Sequence, residues 1–187
     1  QPFRWRMAPA DTNPIRTGPL LMTETAATAA IAREIAPKGR LRVALNHGNV
    51  VLVQRGGADG EARGITVDLA RALAGRLGLD VEFVHFPRAG DVTDNAGADI
   101  WDVCFLAVDP KRARTIAFSD PYISIYGTYG VPVDSPAQSV ADVERLGLRI
   151  GGTPGSAYTL FLERELKSAR LVPYETNDLV LAAMAAG

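Results

Sequence analysis

The sequence predicts an α/β protein built on parallel sheets, and three observations point there. From residue 41 onward, short apolar runs alternate with amphipathic segments in the order strand, helix, strand, weak helix, strand. That is the rhythm of parallel strands joined by crossover helices that cover both faces. The rhythm restarts more briefly after residue 138, where two further strands are each followed by a helix. The composition suits such a fold: 187 residues, 47% hydrophobic, with a formal net charge of -1. This is enough chain for one ordinary domain or two small lobes, and it is neither disordered nor collagen-like.

Each element has a local reason. "LRVALN" (41–46) is an apolar run that reads as a buried strand, and it ends at the turn-prone Asn46, His47, Gly48 and Asn49. "VVLVQR" follows and leads into "GGADGEARG", a hairpin-like glycine-rich turn. "ITVDLARALAGRLGL" is the clearest helix. Ile65, Leu69, Ala72, Leu73 and Leu77 recur at helical spacing, with Arg71 and Arg76 off that face and Gly78 as a stop. "DVEFVHF" (80–86) reads as a strand, residues 88–99 as weakly helical, and "DVCFLAV" (102–108) as a buried strand. "DPKRARTIAFS" is a turn followed by about one turn of helix. "FSDPY" (118–122) then ends the first rhythm, and "YISIYGTYGVPV" reads as a strand interrupted by Gly127 and Gly130, a hinge candidate. The second rhythm is "SVADVERLG" (139–147, helix), "LRIGG" (strand), "SAYTLFLERELK" (156–167, helix), "ARLVPY" (strand) and "TNDLVLAAMAAG", a helix opened by Thr176 and Asn177. Ahead of residue 41, "TETAATAAIAREIA" predicts a short helix capped by Thr23 or Thr25.

Several function classes lose support. The near-neutral charge does not favour nucleic acid or an anionic membrane as partner. Cys104, the single cysteine, leaves no internal disulfide, and its apolar run predicts a small core residue. The longest apolar runs fall far short of the ~20 residues of a membrane span. Residues 1–40 show no clear signal peptide, and Met22 is a candidate true start. No Ser-His-Asp order, Cys-x-x-Cys pair or His-Glu-x-x-His run is present. "GGTPGSAY" lacks the Lys-Ser/Thr ending of a phosphate-binding loop. No metal or other cofactor is expected.

Three pieces in order carry a family resemblance: "GITVDLARALAGRLGL", "WDVCFLAVDPKRARTIAFSDPY" and "LRIGGTPGSAYTLFLERELK". With them the chain resembles the bacterial extracellular solute-binding proteins of family 3, the amino-acid-type receptors of ABC importers, from about Leu41 to the end. The resemblance implies a periplasmic-binding-protein-like type II fold, two α/β lobes joined by a hinge. It divides the chain into an N-terminal extension (1–40), lobe 1 (41–126), a hinge crossover (127–132) and part of lobe 2 (133–187). The family's segment that returns to lobe 1 would lie beyond Gly187, so a fragment with an incomplete second lobe and an open sheet edge is expected. A monomer that binds a small carboxylate-bearing solute, docks on a transporter permease and resides in the periplasm is also implied.

The resemblance also implies site residues. Arg112, ahead of "FSDPY", would grip the ligand carboxylate with its planar fork; from composition alone, beside Lys111 and Arg114, a solvated surface arginine is the alternative. The turn holding Thr153, Gly155 and Ser156 would supply the second lobe's contacts through its hydroxyls and free N–H groups, although Ser156 also suits a plain helix cap. Asn46 and Asn49 stand where the family commonly has an acidic residue and an aromatic one, and Arg88 falls near a second aromatic. Ala107 and Asp109 lie in the segment where a threonine often precedes the arginine, and Asp109 before Pro110 also suits a turn. These departures put the usual α-amino grip in doubt. Two alternatives follow: a cyclohexadienyl or arogenate dehydratase-like enzyme on the same fold, which would use a carboxylate as acid, and the sensing domain of a signalling receptor.

Overall fold

The computed structural model describes residues 21–56 and 60–187, with side chains omitted at residues 21–25 and 27. The chain forms two compact units, one ending at Leu106 and the other running from Ala107 to Gly187. The tip of the glycine-rich turn, residues 57–59, lies outside the described residues, as do residues 1–20 of the N-terminal extension.

The first unit contains α1 (Leu21–Ile35), β1 (Arg40–Asn46), α2 (Ile65–Leu77), β2 (Asp80–Phe86), α3 (Ala89–Asp94) and β3 (Val103–Cys104). Its sheet has the order β2-β1-β3 and every pair is parallel. β1 is central because it is apolar on both faces, as a strand covered on both sides must be. Leu41, Val43 and Leu45 face Val67, Ala70 and Ala74 of α2, together with Leu52 and Val53. Ala44 faces the other way, toward Phe86, Val92 of α3 and the half-buried Trp101 and Cys104.

Three expectations need correction. The buried stripe of α2 is Thr66, Val67, Ala70 and Ala74, while Ile65 and Leu69 are exposed. The small alanines let the helix lie close to the sheet, and close approach outweighs the larger side chains on the neighbouring face. The helix does stop at Gly78, left-handed at φ 65, whose N–H bonds the Ala74 carbonyl. β3 is only two residues long and half-buried, because Val43 and Ala44 are the only β1 residues that pair with it. The hairpin-like turn before α2 is closed, among the described residues, by an antiparallel bridge between Gln54 and Arg63. α1 begins at Leu21, so Thr23 and Thr25 lie inside the helix and not at its cap.

The second unit contains a 3-10 turn (Arg112–Arg114), α4 (Val140–Arg145), β4 (Arg149–Gly152), α5 (Ala157–Glu165), β5 (Arg170–Pro173) and α6 (Asn177–Ala186). β4 and β5 are parallel and form a two-stranded sheet, with α5 as the crossover. Ala137, Val143 and Ala169 form its small core with Tyr129, Leu148, Ile150 and Leu166 packed around them. The expected strand "YISIYGTYGVPV" does not form: residues 122–133 carry no ladder. β propensity expresses itself through cross-strand packing, and this run has no partner strand among the described residues. Its Tyr122, Ile123, Ile125 and Tyr126 are exposed as a result.

The first unit also buries a charge. Arg42 lies inside the sheet at 6% exposure. Its Nη2 meets Asp102 Oδ1 at 2.5 Å and Asp99 Oδ1 at 2.8 Å, and its Nε donates to Asp102 Oδ2 at 3.0 Å. The Arg42 backbone N–H donates to the same Asp102 Oδ2 at 2.8 Å. Removing one partner of a buried pair leaves the other charge uncompensated, at a cost of about 3–5 kcal/mol. Asp102→Ala is therefore expected to lower the unfolding free energy by that order in urea titration, with a smaller loss for Asp102→Asn. A change within about 0.5 kcal/mol, as at an ordinary surface position, would remove the pair from the structural argument.

Candidate functional site

In the second unit, the Asp-Pro turn builds the position of Arg112. Asp109 Oδ1 accepts the Lys111 N–H at 2.8 Å, and the Asp109 carbonyl accepts the Ala113 N–H at 2.9 Å. These bonds wind residues 112–114 into their 3-10 turn and direct Arg112 inward. It is 3% exposed, so it is not a solvated surface arginine, whereas its neighbours Lys111 and Arg114 are exposed. Its Nη1 donates to the Ala107 carbonyl at 2.9 Å and its Nη2 to the Gly155 carbonyl at 2.9 Å. Ala107, Arg112 and Gly155 are thus brought together.

The glycine-rich turn after β4 is built equally tightly. Gly155 sits at φ +73, a left-handed conformation that favours glycine. A Cβ at Gly152 would lie 2.5 Å from Thr159 Cγ2, so the end of β4 approaches α5 closely. Ser156 is the N-cap of α5, its Oγ accepting the Thr159 N–H at 3.2 Å. Thr159 Oγ1 donates to the Thr153 carbonyl at 2.8 Å. The buried Thr153 donates from Oγ1 to Asn177 Oδ1 at 2.9 Å, which ties the first residue of α6 to the turn.

Asp109 is buried and pairs with Arg164 of α5 at 2.6 Å. Burial works to raise its carboxyl, but the Arg164 hydrogen bond and the Lys111 N–H outweigh it and hold it below the usual carboxylate range. Its carboxylate is thus engaged in holding the turn against α5.

In the first unit, Asn46 and Phe86 are register partners, so the loops after β1 and β2 leave the same C-terminal edge of the sheet. That edge is where open α/β sheets place ligands. Asn46 Oδ1 accepts the Gly48 N–H at 3.0 Å. The Asn46 carbonyl accepts the Asn49 N–H at 3.2 Å, and the Asn49 carbonyl accepts the Val53 N–H at 2.9 Å. Arg88 precedes α3 and pairs with Asp91 at 2.7 Å. A Cβ at Gly48 would lie 3.5 Å from Arg88 Cα, so these two loops touch. Beside them an open depression of about 480 Å³ is lined by His47, Arg55, His85, Phe86 and Pro87.

Sequence reasoning missed Arg164, Thr159 and Asn177, which hold the turn and Asp109 in place. Thr159, three residues after the Ser156 cap, and Asn177, at the start of its helix, carried local signals; Arg164 carried none. His47 and His85, 38 residues apart in sequence, meet in space. Among the described residues no cluster of three or more His, Cys, Asp or Glu is arranged to hold a metal ion, and no helix is long and apolar enough to cross a membrane.

With this geometry in place, comparison with known proteins is informative. The model of the bacterial extracellular solute-binding proteins, family 3, matches residues 41–184, and the chain belongs to that family. Among solved structures it is similar to an ancestral amino acid-binding protein described as a precursor of cyclohexadienyl dehydratase, with TM-score 0.66, 25% identity, and coverage of 84% of this chain and 70% of that one. It is also similar to a putative ABC-transporter binding component from Wolinella succinogenes complexed with lysine, with TM-score 0.63, 21% identity, and coverage of 80% and 65%. A third is an amino acid ABC transporter substrate-binding protein from Streptococcus pneumoniae bound to L-arginine, with TM-score 0.65, 24% identity, and coverage of 83% and 67%. The parallel α/β architecture is thus that of the type II periplasmic-binding-protein-like fold, and the chain spans about two-thirds of the length of these relatives.

The Asp109–Arg164 pair has a measurable pH signature. A carboxylate held below its unfolded pKa contributes stability that is present above about pH 4 and is lost as pH falls through the lowered value. Stability of the second unit, followed by urea denaturation, is expected to decline below about pH 4. Asp109→Asn is expected to be less stable at pH 7 and to flatten part of that decline; an unchanged profile would remove the pair from the account.

Proposed function

We propose that this chain is the binding part of a periplasmic receptor for a small carboxylate-bearing solute, an amino acid or a related organic acid, that serves an ABC importer. The observation that carries this reading is Arg112: a guanidinium buried at 3% exposure and aimed at the turn of a solute-binding family. A guanidinium has five donors in a fixed fork, a geometry matched to a carboxylate. Thr153, Gly155 and Ser156 would approach the ligand from the turn, with Ala107 and Asp109 beside the arginine. Asn46, Asn49 and Arg88 would contribute from the loops after β1 and β2. We assign residues 41–126 to one lobe, 127–132 to the hinge and 133–187 to the other, and place a monomeric receptor against its permease. Closure would follow from a solute that contacts both lobes and so favours the closed state.

The relatives' bound lysine and arginine support an amino-acid-like solute. Asn46 and Asn49 qualify that support: a neutral carboxamide attracts an ammonium less strongly than a carboxylate, and Asn46 Oδ1 already accepts the Gly48 N–H. A solute whose recognition rests mainly on its acid group fits this loop better. One observation favours a second reading, an enzyme of dehydratase type, because a relative at 25% identity is a dehydratase precursor. The state of Asp109 counts against it as the acid, since Arg164 holds that carboxyl in its ionised form.

The complete protein, titrated calorimetrically against amino acids and organic acids, is expected to bind a carboxylate-bearing member without turning it over. Arg112→Lys keeps the charge but loses the fork, and affinity is expected to fall at least about tenfold, or ~1.4 kcal/mol. Unchanged affinity would refute the carboxylate assignment. Turnover of prephenate or arogenate would establish the dehydratase reading instead.

A further inference from the structure

The chain has only two histidines, and the fold brings them together. His47 follows β1 and His85 lies in the neighbouring β2. His47 Nε2 and His85 Nδ1 are 2.8 Å apart, with near-parallel rings at 16°. The His47 backbone N–H also donates to the Phe86 carbonyl at 2.9 Å. Side chain and main chain therefore both fasten the start of the 47–49 loop to the end of β2.

A hydrogen bond between two imidazoles needs one N–H and one lone pair. Two neutral rings satisfy this, and so does one neutral ring with one cation. Two cations do not, because two N–H groups and two like charges would then face each other at 2.8 Å. Among the described residues, the charged groups placed about the pair are Arg55, which lines the same depression, and Arg88, which adjoins Gly48 and is itself paired with Asp91; His85 is exposed. Glu82 of β2 pairs with Arg40, and Arg42 of β1 pairs with Asp102, both toward the opposite end of the strands. His47 is half-buried, and its Nδ1 has no hydrogen-bond partner among the described residues. A shared metal ion is a poor fit for the gap between the two nitrogens: half of 2.8 Å is well short of a Zn–N bond of ~2.0 Å.

We propose that His47 and His85 form a proton-operated clasp, closed at neutral pH and released by double protonation, that holds the loop carrying Asn46 and Asn49 on the sheet edge. Burial first, then the His85 ring and Arg55, hold the His47 imidazole below its ordinary value. The sign follows directly. With one N–H and one lone pair between the rings the bond is intact. In an opened loop His47 takes up its proton at the ordinary value and in the closed loop only at a lower one, so the clasp weakens as pH falls through the window below about 6.5. Acid-triggered release of a solute would follow from this, a consequence that rests on the proposed function; the clasp itself does not.

The test needs no ligand. In NMR titration of the 187-residue chain, with only two sets of imidazole resonances, the pair is expected to titrate in two coupled steps, one displaced below about 6.5. His85→Gln should raise the His47 midpoint by at least about half a unit, and His47→Gln should move His85, by linkage, by a matching amount. Amide exchange at Gly48 and Asn49, corrected for intrinsic rates, should accelerate on acidification in the parent chain and already be fast at neutral pH in His85→Gln. Single-step titrations near pH 6.5, each unchanged by removal of the other histidine, would overturn the proposal. So would loop exchange that does not respond to pH or to His85→Gln.

Discussion

A guanidinium inside a sheet is tolerable only if its charge and donors are met, and the first unit is organised around meeting them. Arg42 stands on the central strand β1, where its neighbours Leu41, Val43 and Leu45 are fully buried. Asp102 answers both its side chain and its backbone N–H, and the Asp102 N–H returns a bond to the Arg42 carbonyl at 2.8 Å. Asp99 adds a second carboxylate from a left-handed backbone position, φ 55, and Lys38 pairs with it at 2.7 Å. This network clamps the chain entering β3 onto β1 where the ladder is only two residues long. An ion pair with several hydrogen bonds supplies there the register that a longer ladder would otherwise supply.

The second unit uses the same device at its candidate site. Asp109 is buried against Arg164, and Arg112 is buried against two carbonyl oxygens. The pair orders the Asp-Pro turn; the turn aims the arginine; the left-handed Gly155 presents a carbonyl to it. A residue that looks like a surface charge in sequence becomes a positioned one because its neighbours absorb the local polar groups first. Hydrogen bonds converge around Arg112, whereas along 122–133 apolar side chains stand exposed without a ladder. An unpaired buried charge is far more costly than an exposed apolar side chain, so the buried charges are the ones that find partners.

Much of the chain was legible without coordinates. The strands at 80–86 and the helix at 65–77 stand where apolar spacing, the Gly78 stop and the turn residues put them. Ser156 and Thr176 cap their helices through their own hydroxyls, an interaction within three residues that sequence can reveal. The resemblance drawn from three motifs agrees with the family match over residues 41–184. Errors cluster where the answer depends on distant residues. "YISIYGTYGVPV" has every local mark of a strand and forms none, and "DVCFLAV" contributes two residues to the sheet where seven were expected.

The sequence by itself determined the class of fold, most of its elements in order and the Ser156 and Thr176 caps, because each depends on periodicity or on bonds a few residues long; the candidacy of Arg112 came from the family resemblance. Tertiary structure decided which face of α2 is buried, how far β3 extends and where each charge finds its partner. Arg42 with Asp102, Asp109 with Arg164, and His47 with His85 are separated by 60, 55 and 38 residues. Nothing in the local chain pairs them. Only the tertiary fold, which returns distant segments to neighbouring positions, brings these groups within hydrogen-bonding distance.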